Sequence, residues 1–188
     1  MRIYIITGPI GSGKTEAQKI LCKLDYECYC ADEKVKEIYL RKQTISEMKK
    51  FFPEYVSENT INTRTIREHI FKDNEKRIAL ESYIQPKVFE DFKKIVENNT
   101  SKMIFFIFPI IQNNNFTKLY KTIYIDADED IRLKRINKRE LYNEKLSKEI
   151  IRLQNSFDKN KKNSDYYIKN NNSIIELEIS IKELINKL

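Results

Sequence analysis

The chain has 188 residues, of which 40% are hydrophobic and 34% charged, and its formal net charge is +7. This length fits one domain, or one domain with an inserted subdomain, and is enough to bury about 70% of the unfolded surface, while the apolar share excludes a disordered chain. The longest apolar run, Met103 to Ile111, is too short to cross a bilayer, and Met1 to Thr7 lacks the apolar region and cleavage site of a signal peptide. A membrane protein and a secreted disulfide scaffold are therefore excluded, and a cytoplasmic protein is expected.

The elements follow in chain order. Arg2 to Thr7 is β-branched and aromatic, as a buried strand requires, and it runs into the chain's only three glycines, Gly8, Gly11 and Gly13. Apolar residues then recur at helical spacing from Thr15 to Leu24, and Tyr26 to Cys30 is a second strand. Asp32 to about Asn98 is mostly helical in pattern, with breaks expected at Phe52-Pro53 and Gln85-Pro86. Inside it, Asn62 or Thr63 is placed to cap a helix running through Phe71.

Met103 to Phe108 and Lys121 to Asp126 form the third and fourth strands, and Tyr166 to Lys169 a short fifth. Helices Glu129 to Arg139 and Ser147 to about Phe157 lie between the last two, and Ile174 to Leu188 is an amphipathic terminal helix. Strands separated by helices predict an α/β fold, a five-stranded parallel sheet flanked by helices.

Cys22, Cys28 and Cys30 cannot pair completely, and with His69 as the single histidine a Cys/His zinc site lacks ligands. Small thiols in a reducing compartment are the ordinary reading. The basic surplus is spread along the chain apart from Lys159 to Lys162, and no nucleic-acid motif accompanies it. Neither nucleic acid nor a membrane surface is an expected partner.

Gly8-Pro9-Ile10-Gly11-Ser12-Gly13-Lys14-Thr15 fits the phosphate-loop pattern in full, after a strand and before a helix. The glycines let backbone N–H groups turn inward around a phosphate, and the following helix aims its positive end at the same anion. Lys14 is expected to reach the β- and γ-phosphates of ATP, and the Thr15 hydroxyl to hold Mg²⁺. A P-loop NTPase or kinase fold follows, but the loop alone does not name the acceptor.

Several further segments, in the right order, resemble the dephospho-CoA kinase family. They are Ile5 to Thr15, Cys30-Ala31-Asp32, Arg64 to Asp73, Pro86, Phe108-Pro109-Ile110-Ile111, the pair Arg135 and Arg139, and Asp165 to Asn171. The resemblance implies transfer of the ATP γ-phosphoryl to the ribose 3′-hydroxyl of dephospho-CoA, in coenzyme A biosynthesis. It also implies an organisation within a single P-loop kinase domain: a core of residues 1–32, 100–135 and 161–188, a helical acceptor-binding region 33–99, and a lid 136–160.

The departures fall on the acceptor side. Cys30 stands where the family carries an aspartate, Gln85 where it has a histidine, and Ile107 and Asn113 where it has acidic residues. The glutamine of its late lid helix corresponds to Ser156, with Gln154 close by. A relative phosphorylating another nucleotide-like metabolite, and a nucleotide-binding protein without turnover, stay open as alternatives.

The resemblance makes Asp32 the group that takes or orients the acceptor's proton, against an ordinary reading as a helix N-cap. Arg135 and Arg139, four apart and so on one helix face, are implied to contact phosphate, against an ordinary reading as a solvated basic face. Arg152, Arg64 and Arg67 are lesser candidates.

Overall fold

In the computed structural model, residues 1–70, 73–109, 119–139, 144–157 and 160–188 are described. The chain divides into two compact units, residues 1–30 with 100–188, and residues 31–99.

The first unit is built on five parallel strands: β1 (Arg2–Thr7), β2 (Glu27–Cys30), β5 (Met103–Ile107), β6 (Lys121–Asp126) and β7 (Tyr166–Lys169). Their order across the sheet is β2-β5-β1-β6-β7. Because all pairs are parallel, every strand delivers its carboxyl end to the same edge. At β1 the order reverses, with β5 on one side and β6 on the other, and such a switch point opens a crevice for ligands at that edge. Residues 8–13 leave β1 there.

The strand sequences explain the burial. Tyr4, Ile6, Phe105, Ile107, Ile123, Ile125 and Ile168 form one core cluster with Ala17, Ile20 and Leu21 of α1 (Lys14–Lys23) and Leu177 and Ile181 of α9 (Ile174–Ile185). Their neighbours in alternation, Ile5, Ile104, Phe106 and Tyr124, are buried as well. Both faces are therefore covered, which is why β5 reads as a continuous apolar run rather than an alternating one. Each fully buried large side chain contributes roughly 1.5–3 kcal/mol. Two further helices of this unit, α6 (Glu129–Asn137) and α7 (Glu144–Phe157), pack against each other, and a single turn, α8 (Asn160–Asn163), precedes β7.

The second unit holds α2 (Ala31–Tyr39), α3 (Lys42–Phe51), α4 (Thr63–Ile70) and α5 (Asn74–Asn98). It also holds a short antiparallel pair, β3 (Val56–Ser57) with β4 (Thr60–Ile61), which periodicity did not reveal because each strand is two residues long. Asn62 caps α4, its Oδ1 accepting from the amides of Arg64 at 3.2 Å and Thr65 at 3.1 Å. The break expected at Phe52-Pro53 is present, since α3 stops at Phe51 and Pro53 opens a 3₁₀ turn.

One expectation and one alternative reading are corrected. Gln85-Pro86 does not break the helix: α5 runs through Pro86, and its buried side chains Leu80, Ile84, Val88 and Phe92 continue on both sides. Packing of that stripe outweighs the one hydrogen bond that proline removes. Asp32 is not an N-cap either, because α2 starts at Ala31 and Asp32 already lies in its first turn. A carboxylate there is favoured by the helix dipole rather than by a cap geometry. Phe71, Ile110, Ile111 and Asn113 lie outside the described residues, as do residues 140–143 and 158–159 of the expected lid.

Candidate active site

The loop after β1 turns on positive backbone angles, with φ +148° at Gly8, +78° at Gly11 and +108° at Gly13. At Gly8 a Cβ would collide with the Ile125 carbonyl, and at Gly13 with the Asn170 amide, so a side chain is excluded twice over. Gly13 is the N-cap of α1 and offers no side-chain cap. The first-turn amides of α1 therefore depend on an outside acceptor, and they face it with the positive end of the helix.

Lys14 is turned back along the loop, its Nζ donating to the carbonyls of Gly8 at 2.6 Å and Pro9 at 3.1 Å. Ser12 is fully buried, and its Oγ has no hydrogen-bond partner among the described residues. An ammonium bonded to loop carbonyls, an uncapped helix start and a buried Ser12 hydroxyl without a partner among the described residues gather donors on one glycine loop. That fits an anion of phosphate size. The adjoining Thr15 hydroxyl is exposed, and an oxygen donor of this kind suits a hard cation that takes its other ligands from phosphate and water.

Three side chains distant in sequence hold the loop from outside. Asn170, at the end of β7 and 6% exposed, donates from Nδ2 to the Ser12 carbonyl at 2.7 Å, while its own amide donates to the Asp126 carbonyl at 2.7 Å. Arg135 of α6 donates to the Asn170 carbonyl at 3.0 Å, the Gly11 carbonyl at 3.4 Å and the Asn172 carbonyl at 3.3 Å. Burial lowers the Arg135 guanidinium below its ordinary range. Gln154 of α7 accepts through Oε1 from the Ile10 amide at 2.8 Å. Gln154 is thus the glutamine that meets the loop; the side chain of Ser156 lies outside the described set.

Behind the loop, Asp126 ends β6 nearly buried. Its Oδ2 accepts from Lys161 Nζ at 2.8 Å and from the Tyr167 hydroxyl at 2.8 Å. Burial pushes this carboxyl up, but those two bonds and the charges of Lys161 and Lys169 outweigh it, leaving the group below its ordinary value. The Tyr167 hydroxyl is pushed up to about 12, first by burial and then by the Asp126 carboxylate.

The structure therefore brings Gly8, Pro9, Ile10, Gly11, Ser12, Gly13, Lys14, Thr15 and Arg135 together around one loop. Arg139 lies two residues beyond α6 with an exposed side chain, and Arg152 is exposed on α7. Asp32 and Arg64 are exposed residues of the second unit, and the side chain of Arg67 lies outside the described set. Of the departures, Cys30 closes β2, Ile107 is a core residue of β5 in register with it, and Gln85 sits in α5 before Pro86. Asn170 and Gln154 were not read from the sequence as loop-holding residues: the first was present only within the Asp165 to Asn171 resemblance, and the second only as the glutamine close to Ser156.

Among solved structures, a Thermus thermophilus protein matches with TM-score 0.83 and 23% identity, covering 100% of this chain and 97% of that one. A Campylobacter jejuni dephospho-CoA kinase gives 0.69 and 23% over the same shares. A shikimate kinase from Acinetobacter baumannii, in complex with shikimate, gives 0.60 and 13%, covering 100% of this chain and 94% of its own. At these identities the likeness establishes the P-loop kinase fold.

The sequences carry the family. A curated dephospho-CoA kinase of Fusobacterium nucleatum is 31% identical over 182 residues, 94% of each chain. One from Rickettsia typhi is 29% identical over 187 residues, 97% of this chain and 95% of its own. The family model described as dephospho-CoA kinase matches residues 2–176. With the loop, the sheet order and this match along nearly its whole length, the chain belongs to the dephospho-CoA kinase family, ATP-dependent kinases of coenzyme A biosynthesis.

Proposed function

We propose that this chain transfers the γ-phosphoryl group of ATP to the ribose 3′-hydroxyl of dephospho-CoA, in the cytoplasm, with Mg²⁺ as cofactor. The observation that carries the reading is the complete phosphate loop at the switch point of a parallel sheet, in a chain matched by the family from residue 2 to 176. The absence of a disulfide at Cys22, Cys28 and Cys30 agrees with a reducing compartment. No helix is long and apolar enough to cross a membrane among the described residues. A small-molecule acceptor rather than nucleic acid fits the scattered basic charge.

Phosphoryl transfer needs little covalent help from the protein; it needs positioning and charge neutralisation. The loop amides and the start of α1 hold the phosphates. Lys14 exchanges the carbonyls of Gly8 and Pro9 for phosphate oxygens, a swap that keeps its charge paired throughout. The Thr15 hydroxyl would help hold a bound Mg²⁺, which would supply further charge neutralisation. Arg139 reaches the phosphoryl group as charge develops on it, an interaction worth about a thousandfold or more in related chemistry. Arg135 lies against the donor nucleotide while its guanidinium keeps residues 11 and 170–172 in place.

Asp32 accepts or orients the acceptor's proton. Residues 33–99 bind the acceptor, and residues 136–160 form the lid that excludes water. Cys30, where the family carries an acid, leaves no second carboxylate in the Cys30-Ala31-Asp32 segment, and Ile107 stands for another acid at the end of β5. That observation favours one rival, a related kinase with a different nucleotide-like acceptor.

The deciding experiment measures ATP consumption with dephospho-CoA beside a panel of nucleotides and nucleotide conjugates, using the wild-type chain and its Asp32→Asn variant. The reading expects dephospho-CoA to be the best acceptor, with the variant at least about a hundredfold slower at near-normal ATP affinity. Preference for another acceptor would overturn the substrate assignment, and a near-normal rate in the variant would overturn the role of Asp32.

A further inference from the structure

Arg132, on α6, is 5% exposed, and only one of its guanidinium nitrogens is satisfied. Nη2 donates to Asn155 Oδ1 of α7 at 3.0 Å, whereas Nε and Nη1 are buried with no partner among the described residues. A buried cation with two empty donors is costly, and native structures rarely keep one unless something else supplies the acceptor. The surroundings indicate what that is.

The main chain and Cβ of Arg132 lie where a Cβ on Gly11 would fall, 2.9–3.1 Å away, so α6 rests directly on the phosphate loop at this residue. On the far side, Gln154 of α7 bonds the Ile10 amide, and its neighbour Asn155 bonds Arg132. Asn155 is in turn fixed by donating to Glu129 Oε2 at 3.0 Å. Arg132 is therefore held between the Ile10–Gly11 half of the loop and α7, oriented by an amide that itself carries no charge to neutralise it.

We propose that Arg132 is a phosphate-binding residue of this chain, its Nε–H and Nη1–H donating to the phosphate chain of the bound nucleotide. This rests on reading residues 8–15 as the nucleotide's phosphate site, and it adds to Lys14, Arg135 and Arg139 a cation whose backbone lies on Gly11 and whose guanidinium is bonded to α7. The alternative is a structural clamp, in which the guanidinium serves only to tie α6 to α7. The two separate because a clamp acts in the free protein and a phosphate ligand acts when the anion is present.

The test uses Arg132→Met, which keeps the length of the side chain and removes the charge and all donors. Melting of the free protein is measured first, then calorimetric affinity for ATP and for inorganic tripolyphosphate. A phosphate ligand leaves the free protein melting at or above wild type, because an unsatisfied buried charge has gone. It also weakens both ATP and tripolyphosphate by about tenfold or more, and by similar factors, since no base contact is involved. Affinities within twofold of wild type for both ligands overturn the proposal, whatever the melting temperature.

Should the variant fail to fold, the wild-type chain decides. The ¹⁵N–¹H resonance of Arg132 Nε is expected to shift and gain exchange protection on saturation with tripolyphosphate, and no change at saturation overturns the proposal. The kinase reading fails separately. A wild-type chain that binds ATP through Arg132 but phosphorylates no acceptor keeps this inference and loses that one. An active kinase whose Arg132→Met variant binds ATP normally does the reverse.

Discussion

Truncating Asn170 to alanine tests whether the loop is held from outside. The side chain's Nδ2 is the donor to the buried Ser12 carbonyl at 2.7 Å, between residues 158 positions apart in sequence. Removing it leaves that buried carbonyl unpaired, a loss of about 1–3 kcal/mol. Melting shifts by roughly 2–4 °C per kcal/mol in a chain of this size, so Asn170→Ala is expected to lower Tm by about 2–12 °C. Asn170→Asp should be worse, because it sets an oxygen against the Ser12 carbonyl in place of the donor. ATP affinity should fall in the same order, since residues 12 and 13 carry the amides that meet phosphate. Thermal melts with and without ATP check both. An Asn170→Ala protein melting within about 1 °C of wild type, with unchanged ATP affinity, refutes the reasoning.

Lys14→Ala should abolish transfer and weaken ATP binding, as calorimetry and turnover together will register; unchanged values in both would remove the phosphate-loop assignment. Gln154→Ala removes the acceptor of the Ile10 amide, worth about 1 kcal/mol, and should slow turnover about fivefold with a small change in melting. Asp126 is held below the ordinary carboxylate range by Lys161 and Tyr167 against the cost of burial. Its contribution is therefore complete above pH about 4 and is lost as pH falls through its lowered value. Melting temperatures between pH 7 and 3 should show a steeper acid decline in wild type than in Asp126→Asn, which starts lower at neutral pH; parallel curves would contradict this.

The sequence was most legible where one local rule governs. Glycine appears only at 8, 11 and 13, so the loop stood out, and a strand as apolar as Met103 to Ile107, or as β-branched and aromatic as Thr122 to Ile125, declared itself by composition. A cap at Asn62 or Thr63 followed from side-chain chemistry alone, and the structure settles it on Asn62. It was less legible where distant packing overrides a local preference: Pro86 signals a break, but the buried stripe from Leu80 to Phe92 carries α5 through it. The residues around the loop were hardest to read. Gln154, Arg132 and Asn170 meet it from 121 to 158 positions away in the chain. Nothing in the local pattern of a helix distinguishes Arg132, buried against Gly11, from the exposed Lys134 two residues on.

The proposed reaction moves a phosphoryl group from ATP to one hydroxyl of one acceptor. The direct measurement incubates the purified chain with ATP, Mg²⁺ and dephospho-CoA and follows the products by ³¹P NMR and mass. The account predicts ADP together with one new phosphomonoester on the ribose 3′-hydroxyl, formed by wild type and absent with Lys14→Ala. ATP hydrolysis to free phosphate without that monoester, or no ATP consumption while dephospho-CoA is present, would contradict it.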